Sequence, residues 1–498
     1  MLRIEANEGE WMFAGVASKR LVGVLILLLA GSIANASDIT WGGNYRVEAV
    51  KITNPELSSA NSNKAYLLHH LVLTPKIQAA DGLTIYSRMD VFNNPTWGID
   101  PTTGQVYSVA GDVIGGGPNS TTTAGTNANN SNTLARTQRA SMFALTEFYA
   151  TWSQEFGQFI VGRAPMQFGL GTAFNAGNGL FDHYIDTRDM VGYKFVIGNF
   201  YMLPIMGKVN EGVLGEEDDV NDYMLQMQYD NPETDLSLGF LYQMRVFTFA
   251  GNDTPLTGGH IGGATPVKAD GGKTTQWSLF MKQNVGNFKV GVEADMLTGD
   301  TGLKTAAAGP NVSLNGFGVA AEIDYAPEGG KTTWKIKTGM ATGDDPGTSE
   351  TYEGYIFSRN YDVAMMMFNH PLGQADLLRT GLVRTTTAAP NSQIDSEGLS
   401  NAIYFAPSFQ TQWKENFSYG ASIAYGILNK EPISATANTA TSLGWELDIN
   451  LTYKPYERLT WITEAGFLFP GDAWKAGATN NFETKFAYGL VTKAAITF

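Results

Sequence analysis

Cysteine is absent from all 498 residues, so no disulfide staples the fold and its stability has another source. Long apolar runs are missing too: beyond an N-terminal leader, nothing approaches the 18 residues that mark a membrane helix. Basic charge is in deficit, with 33 Lys and Arg against 48 Asp and Glu and a net charge of −15, which argues against nucleic acid as a partner. Histidine is scarce. His69, His70, His183, His260 and His370 form no His-x-x-x-His pair, and no serine near them sits in a nucleophile motif. The expectation is therefore no enzyme, no metal and no cofactor.

A leader is present. Lys19 and Arg20 precede the apolar stretch Leu21 to Ala30, and Ala34 and Ala36 flank Asn35 in an A-x-A cleavage pattern. The apolar core is about ten residues, half of what a spanning helix needs, so residues 1–36 read as a cleaved signal and residues 37–498 as one domain. Glu5, Glu8 and Glu10 ahead of the basic pair are unusual for a signal, and Met12 is an alternative initiator.

Aromatics make up 12% of the chain and Gly numbers 56, and both recur in period-2 stretches bounded by turn residues. Eighteen candidate strands lie near 38–52, 64–78, 82–92, 141–153, 157–166, 189–197, 200–208, 221–230, 235–247, 275–284, 287–297, 315–326, 332–341, 401–414, 417–427, 442–455, 458–468 and 483–498. Turns after even-numbered strands are tiny, such as Gly198-Asn199, Val285-Gly286 and Glu415-Asn416. Those after odd-numbered strands run from about ten to sixty residues. Short turns at one end and long loops at the other are the sidedness of a membrane barrel, with both termini in the periplasm.

The faces agree with that reading. Trp445, Leu447, Ile449, Leu451 and Tyr453 share one side of a strand, and Glu446, Asp448, Asn450, Thr452 and Lys454 share the other. Tyr45, Trp152, Trp277, Trp334, Phe417, Tyr425, Trp445 and Tyr453 fit interfacial girdles. The final run Tyr488, Leu490, Thr492, Ala494, Ile496, Phe498 ends on an aromatic. That ending resembles bacterial outer-membrane β-barrels, whose terminal aromatic is read by the barrel-assembly machinery. The predicted fold is all-β, a transmembrane antiparallel up-and-down barrel of about 18 strands, with 16 the next choice, in the bacterial outer membrane.

A barrel of that size resembles the porins and implies an aqueous lumen. Parity places Arg46, Arg88, Arg163, Lys194, Arg245 and Lys282 inward on strands 1–10, and Glu293, Asp295, Glu322, Asp324, Glu446 and Asp448 inward on strands 11–17. Opposed charged walls would set a transverse field across the pore; mutually satisfied ion pairs are the equally weighted alternative. The segment 166–189 is the third long loop, and by resemblance to porins it constricts the pore with Asp182, His183, Asp186 and Arg188 at the eyelet. Tyr361 to Pro371 is a rival plug, too apolar for free solvent. The stretch from Gly111 to Gln138 reads as a polar, mobile loop, and the acidic run from Gly215 to Asp219 as a solvated loop, with a cation bridging lipopolysaccharide phosphates as the rarer reading.

Thr298-Gly-Asp300 and Thr342-Gly-Asp-Asp345 recur at outer strand ends. With Phe357 and His370, the second resembles the alginate-export porins over about thirty residues, turn chemistry being the bland reading. The predicted function is a porin for passive diffusion of small hydrophilic solutes and ions. The alternatives are a specific channel for an acidic sugar or organic acid, and a plugged barrel serving as a surface anchor. Expected partners are the lipid bilayer, lipopolysaccharide, solutes, the assembly machinery through Phe498 and, by resemblance to porins, two further copies in a homotrimer or none.

Overall fold

A strand bathed in hydrocarbon has no water to satisfy its backbone, so every amide must find a partner in the sheet and the sheet must have no edge. The computed structural model meets that demand. It describes residues 38–58, 63–91, 143–210, 219–248, 267–268, 271–306, 308–345, 347–373, 398–431, 440–475 and 484–498. The leader, the 111–138 stretch, His260 and most of 215–219 lie outside the described residues.

Eighteen strands form the wall. They are β1 (Asp38–Thr40 continuing as Gly43–Thr53), β2 (Asn63–Leu73 continuing as Lys76–Ala80), β3 (Leu83–Val91), β4 (Phe143–Gln154), β5 (Gly157–Pro165) and β6 (Thr187–Ile197). There follow β7 (Phe200–Asn210), β8 (Val220–Asn231), β9 (Leu236–Thr248), β10 (Gly271–Val285), β11 (Phe288–Lys304) and β12 (Asn311–Tyr325). The last are β13 (Thr332–Ala341), β14 (Ala402–Lys414), β15 (Phe417–Leu428), β16 (Ser442–Tyr456), β17 (Leu459–Pro470) and β18 (Ala487–Thr497). Each pairs antiparallel with the next. The ring closes where β18 returns to β1, with Asn44 opposite Thr497 and Thr53 opposite Tyr488. At the seam Gly43 and Phe498 exchange backbone hydrogen bonds, both 3.0 Å.

Alternation sorts the side chains. Trp445, Ile449, Leu451 and Tyr453 of β16 lie exposed on the outer surface, as do Tyr488, Leu490 and Ile496 of β18 and Phe288 and Met296 of β11. Their neighbours Glu446, Asp448, Val491, Glu293 and Asp295 are buried inside. A folded chain that leaves this many large apolar groups exposed in one belt is solvated by lipid there. Outer aromatics stack across strands, Trp445 on Phe469 with centroids 4.1 Å apart and Trp334 beside Phe409 at 5.5 Å.

One connection departs from the expected lengths. β11 and β12 extend to Lys304 and from Asn311, so the sixth long connection shrinks to 305–310. The Thr298-Gly-Asp300 step lies within β11, where Asp300 accepts from the Gly302 N–H (2.8 Å) and from Asn311 Nδ2 (2.8 Å) and so stitches the two strands upward.

Inside, two apolar clusters occupy the half of the barrel nearest the long loops. One gathers Met166, Phe168 and Phe174 against Met190, Leu203, Ile205, Met224 and Leu241 of β6 to β9. The other, larger, gathers Tyr355, Phe357, Tyr361 and Met365 to Phe368 against inner residues of β1 and β11 to β18.

Candidate functional site

Both clusters are built on segments that leave the strands and return to the lumen face. Residues 166–186 after β5, here loop 3, and the described residues after β13 (342–345, 347–373 and 398–401), here loop 7, meet inward-facing side chains from opposite parts of the wall.

Loop 3 is gripped by charge. Arg46 of β1, buried, donates from Nη1 to the carbonyls of Asp182 (2.7 Å) and Leu180 (3.3 Å), and Arg88 of β3 donates from Nη1 to the Gly177 carbonyl (2.8 Å). From the far side the Glu293 carboxylate of β11 accepts the N–H groups of Gly171 (3.0 Å), Ala173 (3.1 Å) and Thr172 (3.4 Å), while Asp295 accepts the Thr172 hydroxyl (2.8 Å). Glycine is required at Gly169, whose φ of +49° is left-handed and whose added Cβ would lie 2.5 Å from a Glu293 oxygen.

Loop 7 is held by the same device. Glu446 of β16 accepts the N–H groups of Met367 (2.7 Å) and Met366 (2.8 Å), and Asp448 accepts that of Met365 (3.1 Å). In both strands a Glu-x-Asp step on the inner face presents two carboxylates to the loop: in β16 both accept backbone amides, and in β11 Glu293 accepts amides while Asp295 accepts the Thr172 hydroxyl. Charge-assisted bonds of this kind are about twice as strong as neutral ones.

The two loops join across the lumen. The Ser358 N–H donates to the Thr172 carbonyl (2.7 Å), Asn360 Nδ2 donates to the Tyr184 carbonyl (2.8 Å), and the Tyr184 N–H donates back to Asn360 Oδ1 (3.1 Å). The Arg359 guanidinium lies 5.1 Å from the Tyr184 ring centroid.

Toward the short-turn end the lumen opens again. A cavity of about 450 Å³ is lined by Glu48, Asp182, His183, Lys335, Lys337, Asp362 and Lys493. A second, about 470 Å³, shares Asp324 and Lys335 with it and adds Lys282 and Lys289. The third, about 490 Å³, shares Tyr201, Ser237 and Lys282 with the second and reaches the turns at Gly198-Asn199 and Asn231-Pro232. The shared walls make one vestibule.

The residues singled out by sequence fall into four groups. Lys194, Lys282, Glu322, Asp324, Asp182 and His183 sit at this vestibule; Lys194 Nζ lies 3.9 Å over the Tyr201 ring, and His183 Nε2 is 2.9 Å from Glu48 Oε1. Lys335 bridges Glu322 and, at 3.7 Å, Asp324, while Lys337 lies 3.5 Å from Glu322. Arg46, Arg88, Glu293, Asp295, Glu446 and Asp448 face inward but are spent on the loops. Arg188 and Arg245 are buried on the inner face of the wall, clamped on Asp222 of β8 at 2.9 and 2.6 Å, and the Arg188 guanidinium lies 5.5 Å from the Phe174 ring of loop 3. Asp186 folds back on its own loop, accepting the Asn175 N–H (2.8 Å).

Arg163 stands apart. It shares parity with exposed Phe159 and Val161 on the outer face of β5, and its guanidinium pairs with Asp189 of β6, Nε to Oδ1 at 2.6 Å. The inward placement expected from sequence is therefore corrected: one residue of parity separates the faces, and Arg163 lies on the lipid side at the long-loop rim, where headgroups solvate an ion pair.

Sequence reasoning passed over Asp222, Thr172, Ser358 and Asn360. Asp222 was legible, since it alternates with Met224, Gln226 and Gln228 on the inner face of β8. The loop junction has no periodic signature, because its bonds run through backbone and one amide side chain.

No protein-family model and no curated protein matches the chain. Among solved structures it is similar to Pseudomonas aeruginosa OccK9 (OpdG), with a TM-score of 0.47 and 12% identity over 93% of this chain and 99% of that one. It is similar also to Pseudomonas aeruginosa OccK2 (OpdF), solved in complex with glucuronate, with a TM-score of 0.47 and 10% identity over 92% of this chain and 98% of that one. A third is a loop L8 deletion mutant of OmpT, an outer membrane protein of Vibrio cholerae, with a TM-score of 0.40 and 9% identity over 93% of this chain and all of that one.

Proposed function

We propose that the protein is an outer-membrane porin-type channel, not an enzyme, which passes small hydrophilic solutes and selects small organic anions among them. The closed ring and its lipid-facing belt supply the membrane wall, and the vestibule supplies the wet path. Loops 3 and 7 restrict that path to the space left beside their junction, which favours a narrow, selective bore over a wide general one.

The observation that carries the anion preference is a set of amines. Among the described residues Lys282 and Lys289 line the vestibule and form no ion pair within 4.0 Å, although Asp324 faces Lys289 across the β11–β12 pairing, and Lys194 lies over the face of Tyr201. An ammonium facing water without a counter-charge raises the local concentration of anions in the lumen. Lys335, by contrast, is neutralised by its pair of acids.

Single-channel recording in a planar bilayer tests this. A small conductance, a reversal potential displaced toward the anion in a salt gradient, and saturation by a small carboxylate are expected. Loss of anion preference by about threefold or more in a Lys282→Ala, Lys289→Ala double variant would tie selectivity to these amines; an unchanged reversal potential would refute that assignment. A second reading, a sealed barrel acting as an anchor, is favoured by the apolar filling around Met365 to Phe368, and a silent bilayer would establish it.

A further inference from the structure

His183 is pinned where the tip of loop 3 meets the vestibule. Its Nε2 lies 2.9 Å from Glu48 Oε1 of β1, and Glu48 is in turn ion-paired with Arg46 at 3.0 Å. The same Arg46 grips the tip through the carbonyls of Leu180 and Asp182. The His183 side chain is 12% exposed and lines the cavity of about 450 Å³ beside the junction of the two loops. An imidazole so placed reaches water without leaving its carboxylate.

An ionised carboxylate only accepts, so Nε2 carries a hydrogen whether the ring is neutral or charged, and the bond holds the ring in place across its titration. What changes is charge, because imidazole is the side chain that ordinarily takes up a proton between about pH 8 and pH 5. The groups around it come from several elements. On β18 Lys493 lies 5.1 Å over the Phe181 ring and pairs with Glu464 of β17 at 2.9 Å. Asp324 of β12, Lys335 and Lys337 of β13 and Asp448 of β16 line the same cavity. Loop 7 contributes Arg359, Asp362 and the buried His370, and loop 3 itself Asp182. A proton on His183 therefore adds one positive charge to a wall that also carries Asp182 and Asp362.

We propose that His183 is a selectivity-determining residue whose protonation strengthens the anion preference of the pore. The inference rests on the channel reading and adds regulation by pH to it. Lys282 and Lys289, nearer the short turns, supply a constant attraction, and His183 supplies a variable one beside the loop junction. In acid its imidazolium offsets the neighbouring carboxylates and anions pass more readily; in alkali the neutral ring leaves those carboxylates to oppose them. Loop 3 keeps its place in both states, since the Arg46 grip and the Nε2 bond persist. The change is one of selectivity and not of bore.

The test is the reversal potential of single channels of the full-length protein in a potassium chloride gradient, read at about pH 5.5 and about pH 8. The anion-to-cation permeability ratio is expected to be about two- to threefold higher at the acid end. His183→Gln, whose amide still donates to Glu48, should lose that dependence and keep the parent's ratio at the alkaline end, and His183→Arg should hold the higher ratio at both. His370→Gln should follow the parent. A pH dependence that persists in His183→Gln, or that vanishes in His370→Gln, overturns the assignment; should His183→Gln not fold, persistence in His183→Arg does so. A parent pore that prefers anions but ignores pH removes this assignment alone, whereas a silent bilayer removes the channel reading with it.

Discussion

Loops 3 and 7 enter the same lumen and share a carboxylate anchor on the wall, but the rest of their support differs. Loop 3 is clamped from two sides by charged groups of the wall, with Arg46 and Arg88 on its carbonyls and Glu293 on its amides. Its apolar cluster is the smaller. Loop 7 takes its wall bonds mainly from the Glu446 and Asp448 step and relies on burial, with Met366 and Met367 fully enclosed. Directional bonds fix where a segment sits, whereas burial fixes how much space it fills. The first loop is positioned and the second is packed; on the proposed channel reading, one would set the shape of the passage and the other its width.

The largest effect should come from removing the packed element. Replacing 358–372 by a short Gly-Ser bridge should raise single-channel conductance several-fold, more than any point change in loop 3; an unaltered conductance would break the division of labour.

Next come the anchors. Glu446→Ala and Glu293→Ala each strip consecutive buried N–H groups of their acceptor, and each should cost about 2–5 kcal/mol, read as a lower temperature for the gel-shift transition. If Glu293→Ala alone were silent, the arginine clamps would suffice for loop 3.

The smallest effect is expected at Arg163→Ala. Its pair with Asp189 is half exposed, so the loss should be below about 1 kcal/mol, with conductance unchanged; a shifted reversal potential would return Arg163 to the lumen.

Most of the wall was legible because a strand between lipid and water writes its geometry in every second residue. β16 and β18 could be read residue by residue for that reason. Parity says which way a side chain points and nothing about what meets it there. Glu293 and Glu446 thus read as an acidic pore wall, whereas the loops consume them. At β5 the run Phe159 to Arg163 carries apolar residues on both faces, Ile160 as well as Val161, and the parity of Arg163 was easily slipped. Loop 7 announced itself by Met365 to Phe368, too greasy for solvent, but its handshake with loop 3 through Asn360 left no mark a single sequence could display.

The seam between β1 and β18 has a kinetic corollary. Neighbouring hairpins can zip as they appear, yet Asn44 meets Thr497 only after every intervening hairpin is in place, and until then both border strands expose raw amides to a medium that offers them nothing. A half-made cylinder is therefore a sticky intermediate with a long loop-closure penalty still ahead of it. Any helper that shields those two borders until they meet would speed maturation without touching a single side chain in the pore.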